Sequence, residues 1–138
     1  MNYAKLIESA LQARKNAYVP YSRFAVGASL LAKNGIIYNG TNIENASYSV
    51  SICAERTALF TAVNQGDKEF VAIAIVGDLA TFDMPRDYCS PCGVCRQALA
   101  EFVDVSTFQV ILAKSTEDYK VFTLEDLLPN SFSSANLT

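Results

Sequence analysis

Two short segments carry residue types that could do chemistry together: Ser51-Ile-Cys-Ala-Glu55-Arg56 and Ser90-Pro-Cys-Gly-Val-Cys95. Each places a cysteine two residues past a serine suited to cap a helix, so each thiol is expected in a first helical turn. Free N–H groups and the positive end of the helix dipole favour the thiolate there. Cys92 and Cys95 are three apart and share one face of one turn. If Cys53 converges on them, three thiolates suit a zinc ion with one position left open. Such a centre carries one net negative charge, which Arg56 and two helix N-termini could offset. Glu55 and Arg56 are the only charges between Ile52 and Val63. A carboxylate two residues from a metal-binding cysteine, and not itself a ligand, is placed to shuttle protons.

Plainer readings exist for each residue. A Cys-x-x-Cys pair alone also fits structural zinc modules and redox motifs. Cys89 lies three residues before Cys92, so a closed site of four cysteines is conceivable. It precedes the helix that presents the other two, which favours reading it as a small buried residue. Glu55 could be a solvated glutamate and Arg56 a surface arginine. Their place in an otherwise uncharged helix argues against both.

The surrounding pattern supplies elements to hold these residues. Tyr3, Leu6, Ile7, Ala10 and Leu11 follow one helix face, and Pro20 closes that segment. Phe24 to Ala32 and Ile36 to Tyr38 flank Asn34-Gly35, which predicts a hairpin with a type I′ turn. Asn39 to Ser49 reads as a polar loop. Ile52 to Val63 predicts a mostly apolar helix with Gly66 placed to end it. Phe70 to Val76 predicts a strand buried on both faces, followed by a loop from Gly77 to Tyr88. Ser90 as cap and Pro91 at the first position open a helix through Phe102. Thr107 to Ala113 and Tyr119 to Phe122 are close enough for an antiparallel hairpin. Thr123 and Asp126 have capping-box spacing for a last short helix before Pro129. The order predicts an α/β chain with three layers, α/β/α, around a mixed five-stranded sheet, with residues 1–138 as a single domain.

Composition narrows the partners. The chain has 138 residues, with 11 Lys and Arg against 14 Asp and Glu. That acidic balance, without a basic run, argues against nucleic acid or an anionic membrane as partner. There is no His, which excludes His general bases, His metal ligands and Ser-His-Asp systems. Apolar residues make up 51%, enough to leave surface for subunit contacts. No signal-peptide core forms at the N-terminus, and the longest apolar run, Phe70 to Val76, is far below the ~20 residues of a membrane helix. A cytoplasmic location is expected, where four cysteines favour metal or catalysis over disulfides.

Taken together, Cys-Ala-Glu and Ser-Pro-Cys-Gly-Val-Cys resemble the zinc signature of the cytidine deaminases, in particular the short, homotetrameric, three-cysteine branch. The likeness extends through Tyr21-Ser-Arg-Phe-Ala-Val-Gly-Ala28, Asn42-Ile-Glu-Asn-Ala46, Cys53-Ala-Glu-Arg-Thr-Ala-Leu59 and Ser90-Pro-Cys-Gly-Val-Cys-Arg-Gln97, then Leu127-Leu-Pro129 and Phe132-Ser-Ser134. It implies a cytidine-deaminase-like fold and hydrolysis of cytidine, and of 2′-deoxycytidine, to the uracil nucleoside and ammonia in pyrimidine salvage. By the same resemblance Cys53, Cys92 and Cys95 bind one Zn²⁺ per chain and leave a position for water. Glu55 moves protons to the ring nitrogen and the leaving amine, and Arg56 softens the thiolate charge. Asn42 and Glu44 match the pair that binds the ribose 3′-hydroxyl, Phe24 packs on the base, and the Ala54 backbone meets the base edge. Ala46, Tyr48 and Phe132 resemble residues that reach into a neighbouring subunit's site in a homotetramer.

Three other readings stand beside it. A blasticidin-type antibiotic deaminase would share the fold, but the Asn42 and Glu44 pair favours a ribose. A polynucleotide-editing deaminase is disfavoured by the missing His and the short final hairpin. A non-catalytic zinc-stabilised domain would leave Glu55 without a task.

Overall fold

The computed structural model describes residues 1–138. Helix α1 (Tyr3–Arg14) opens the chain, with Asn2 accepting from the Lys5 N–H as its cap. Strands β1 (Phe24–Ala32) and β2 (Ile37–Thr41) follow, then α2 (Ala54–Asn64), β3 (Phe70–Leu79), α3 (Gly93–Ala100), β4 (Gln109–Ala113), β5 (Tyr119–Thr123) and α4 (Leu124–Leu127). The sheet runs β2-β1-β3-β4-β5. Only β3 and β4 are parallel; every other pair is antiparallel. The expected mixed five-stranded sheet and closing hairpin are therefore present.

Period-two alternation divides the strands between two apolar layers. Leu6, Ile7 and Ala10 of α1 pack on Ala72, Ala74, Val76, Ile111 and Ala113. On the opposite face Ala58, Leu59 and Ala62 of α2 and Leu99 of α3 pack with Leu30, Ile73, Ile75, Val110 and Leu124. The result is the α/β/α sandwich. Gly40 brings α2 close, since a Cβ there would lie 2.3 Å from the Ala54 carbonyl oxygen.

Several boundaries differ from expectation. The first hairpin turn is not type I′. Gly35 alone takes positive φ (92°), and Asn34 does not. Its N–H bonds to the Ala32 carbonyl while the Ala32 N–H bonds to Ile36, the three-residue arrangement with a left-handed glycine. Strand β2 continues through Thr41 into the expected loop, and β3 continues through Leu79, paired to Phe24. Helix α3 stops at Ala100 rather than Phe102. Gly66, at φ 97°, ends α2 as expected.

A buried arginine braces the end of β1 and β3. Arg14 is 7% exposed and spends all five N–H groups on main-chain carbonyls. Nε donates to Ala25 (2.9 Å), Nη1 to Phe82 and Asp83 (2.9 and 3.2 Å), and Nη2 to Asp78 and Leu79 (3.0 and 2.9 Å). The loop after β3 is thus a folded segment. It is tied back to β3, where Asp78 accepts from Arg86 Nε and Nη2, each at 3.0 Å, and the Arg86 guanidinium lies over the Phe82 ring.

Candidate metal centre and nucleoside cleft

The sulfurs of Cys53, Cys92 and Cys95 lie within 4.8 Å of one another. Cys53 and Cys92 are 3.7 Å apart, and Cys92 and Cys95 3.5 Å. Thiolates about 2.3 Å from a tetrahedral zinc ion sit roughly 3.8 Å apart, so the cluster fits that ion. Cys89 stands outside it. Its side chain packs against Gly77, where a Cβ would meet the sulfur at 2.9 Å, and burial pushes its thiol up to about 12.

The capping expected of the two serines is corrected here. Cys53 is itself the N-cap of α2 and Cys92 that of α3, and neither makes a side-chain cap bond. Ser51 instead accepts from the Asn45 N–H, and Ser90 accepts from Arg96. Each partner lies six residues from its serine, on a loop or on the following helix, which cap spacing does not report. The chemical consequence survives: both cysteines stand at the electropositive ends of helices.

The electrostatics favour an anionic Cys53, while hydrogen bonding to Cys53 holds the Cys95 thiol above its usual range. The Cys53 thiol is lowered to about 5, chiefly by hydrogen bonding from Cys95, with Arg56 and Cys92 adding to it. Arg56 Nη2 donates to Cys53 Sγ at 3.6 Å, and its buried Nε has no partner. Glu55 is 4% exposed. Burial raises its carboxyl to about 7, and the neighbouring Cys53 charge pushes the same way. A carboxyl balanced near neutrality can accept and return a proton at working pH.

A cavity of about 280 Å³ opens onto these groups, lined by Phe24, Val26, Asn42, Glu44, Ile52, Cys53, Ala54, Glu55, Cys89, Ser90 and Cys92 among others. It adjoins a second of about 360 Å³ between Tyr21, Ser22, Glu44, Tyr48 and Ser51. A larger one, about 490 Å³, lies away from the sulfurs against Arg14 and Phe82. An antiparallel bridge between Ile43 and Ile52 holds the 42–53 segment across the cleft.

Phe24, Asn42, Glu44, Ala54 and Glu55 are therefore brought together with two of the sulfurs. Asn42 is already partly engaged: Nδ2 donates to the Phe24 carbonyl (2.7 Å) and Oδ1 accepts from the Val26 N–H (2.9 Å). Glu44 accepts from the Tyr21 and Ser22 N–H groups and the Ser22 hydroxyl. The hydroxyl is the main cause of its lowered carboxyl pKa. Tyr48 lies beside Tyr21, with ring centroids 5.8 Å apart. Ala46 and Phe132 are exposed and do not line the cavities. Sequence reading missed Val26, although two-residue alternation from Phe24 would have found it. It also assigned Ser90 only a cap, and gave no task to Arg14 or Arg96.

The comparisons agree with this geometry. The family model described as "Cytidine and deoxycytidylate deaminase zinc-binding region" matches residues 1–112. The chain is 46% identical to a cytidine deaminase of Halalkalibacterium halodurans over 137 residues, covering 99% of this chain and 98% of the relative. It is 47% identical to one of Sporosarcina psychrophila, covering 100% and 96%. Among solved structures, the cytidine deaminase of Burkholderia pseudomallei superposes with a TM-score of 0.85 at 44% identity, over 96% of this chain and 100% of that one. A cytidine deaminase of Mycobacterium tuberculosis gives 0.78 at 34%, over 96% and 98%. With a three-thiol centre that fits zinc and likeness along nearly its whole length, this chain belongs to the cytidine and deoxycytidylate deaminase family.

Proposed function

We propose that this protein hydrolyses cytidine, and 2′-deoxycytidine, to uridine or deoxyuridine and ammonia, in pyrimidine salvage. One observation carries the reading: a buried Glu55 beside three clustered sulfurs, lining a cavity of about 280 Å³ with room for a nucleoside. Cys53, Cys92 and Cys95 would hold the zinc. Bound there, the ion acidifies a water so that hydroxide chemistry is accessible near neutral pH.

The remaining work falls to this chain's own groups. Glu55 takes a proton from the attacking water and passes protons to the ring nitrogen and then to the departing amine. Its buried carboxyl, raised to about 7, suits both directions of transfer. Arg56 and the two helix N-termini offset the excess negative charge of three thiolates on one dication. Phe24 offers a ring face to the base and the Ala54 backbone a polar edge. Asn42 retains one free amide N–H after its two main-chain bonds, and with Glu44 it recognises the ribose 3′-hydroxyl.

The working unit is a homotetramer of single-domain chains, cytoplasmic, with neither nucleic acid nor membrane as partner. Support comes from the acidic balance and from exposed apolar side chains. Tyr48 is 74% exposed and Phe132 60%, and Ala46 lies on the same loop as Tyr48. These three residues complete a neighbour's cleft. Separately, no helix is long and apolar enough to cross a membrane.

Incubating purified protein with cytidine, while following ammonia release and the ultraviolet change to uridine, tests the reaction. Zinc per chain is measured on the same sample. Turnover with one zinc per chain is expected; metal-free protein with full turnover overturns the proposal.

A further inference from the structure

Three consecutive side chains on one turn of α3 have three different destinations. Cys95 is fully buried and turns its sulfur to Cys92, 3.5 Å away. Gln97 Nε2 donates to the Phe132 carbonyl at 2.9 Å. Between them, Arg96 uses all three of its nitrogens. Nε donates to the Pro91 carbonyl (2.8 Å), Nη2 to the Ser90 hydroxyl (2.9 Å) and Nη1 to the Leu127 carbonyl.

These acceptors are a particular set. Ser90 and Pro91 immediately precede Cys92, the most exposed of the three cysteines. Leu127 is the last residue of α4, where carbonyls lack helical partners. One planar cation therefore ties the approach to a metal ligand to the end of the chain's last helix. A lysine, with its single compact ammonium, could not reproduce that three-way fork.

From this geometry we infer that Arg96 is a positioning residue that links zinc retention to docking of the C-terminal segment, residues 124–133. The inference rests on the zinc reading of the three cysteines and goes beyond it. With Arg96 in place, Ser90 and Pro91 are fixed and Cys92 is presented without reordering. Gln97 adds a second tie to the same segment through Phe132. Coupling of this kind acts in both directions: whatever the docked segment contributes to metal affinity, bound metal returns to docking. Partners that orient metal ligands from outside the coordination sphere are typically worth about 10–100-fold in metal affinity.

The test measures zinc directly. Wild-type protein and the Arg96→Met and Arg96→Lys variants, each loaded with zinc, are mixed with excess chromogenic chelator and zinc release is followed. Both variants should release zinc about 10–100-fold faster than wild type. A wild-type rate in Arg96→Met, or its full restoration in Arg96→Lys, overturns the inference, since charge alone or no tie at all would then suffice. The reverse arm needs no variant. Hydrogen exchange of amides 124–133 in wild-type protein should accelerate when zinc is withdrawn, and exchange unaffected by zinc overturns the coupling. Zinc content of the purified wild type separates the two ideas. Protein devoid of zinc defeats the metal centre itself, whereas zinc-loaded protein with unaltered release defeats only the role of Arg96.

Discussion

Cys53 and Cys92 occupy the same position on two different helices, each as N-cap, with their sulfurs 3.7 Å apart. The chain thereby aims two helix N-termini at one point, which favours negative charge there twice over. The third sulfur follows from Cys95 lying one turn into α3, and the buried carboxyl proposed as general base from Glu55 lying two residues past Cys53.

Glu55→Gln should retain zinc, because the carboxylate is not among the clustered sulfur donors. Losing the group that moves the proton should lower kcat by about 10²–10⁴-fold. Steady-state kinetics with zinc measured on the same preparation check this. A variant that keeps wild-type kcat would remove Glu55 from the proton transfer, whereas zinc-loaded wild type without turnover would leave the non-catalytic zinc domain as the better reading.

Cys89→Ser should keep one zinc per chain, whereas serine at Cys53, Cys92 or Cys95 should lower metal content. Cys89 lies against Gly77 and outside the group of three clustered sulfurs. Loss of zinc in Cys89→Ser would point to the closed four-cysteine site.

Arg14→Met should be strongly destabilising, because up to five main-chain carbonyls lose their donor at once. A loss of at least ~3 kcal/mol is expected, from the cost of stranding buried acceptors. Urea denaturation measures it. A midpoint within error of wild type would show that water replaces the guanidinium freely.

The Asp78–Arg86 pair should make part of the stability pH-dependent. Hydrogen bonding from Arg86 holds the Asp78 carboxyl well below its usual range. As pH falls below about 4, the unfolded chain takes up this proton first, so the native state loses the contribution. The melting temperature of Asp78→Asn should therefore lie below that of wild type at pH 7, with the gap narrowing toward pH 3. A constant gap would assign the effect to packing.

Much of the site is legible in the sequence because it is local. Cys53, Ala54 and Glu55 are consecutive, and Cys92 and Cys95 share one turn, so the spacing alone brings most of the chemistry together. The strand that supplies Phe24 is likewise announced by its apolar run. What escapes is the choice of side-chain partner. Ser51 and Ser90 look like caps until Asn45 and Arg96 are found to engage them. Asn42 looks free until its amide is seen bracketing Phe24 and Val26. Even Asn34-Gly35 signals the hairpin correctly but not its turn type, since Asn tolerates a left-handed backbone without requiring it.

Ala25 is gripped by Arg14 on one side of β1, while its neighbours Phe24 and Val26 look into the cleft on the other. The two outer layers thus share a single seam of backbone. A screen for impaired deamination should accordingly recover substitutions in the first helix, behind the sheet, that touch neither sulfur nor nucleoside.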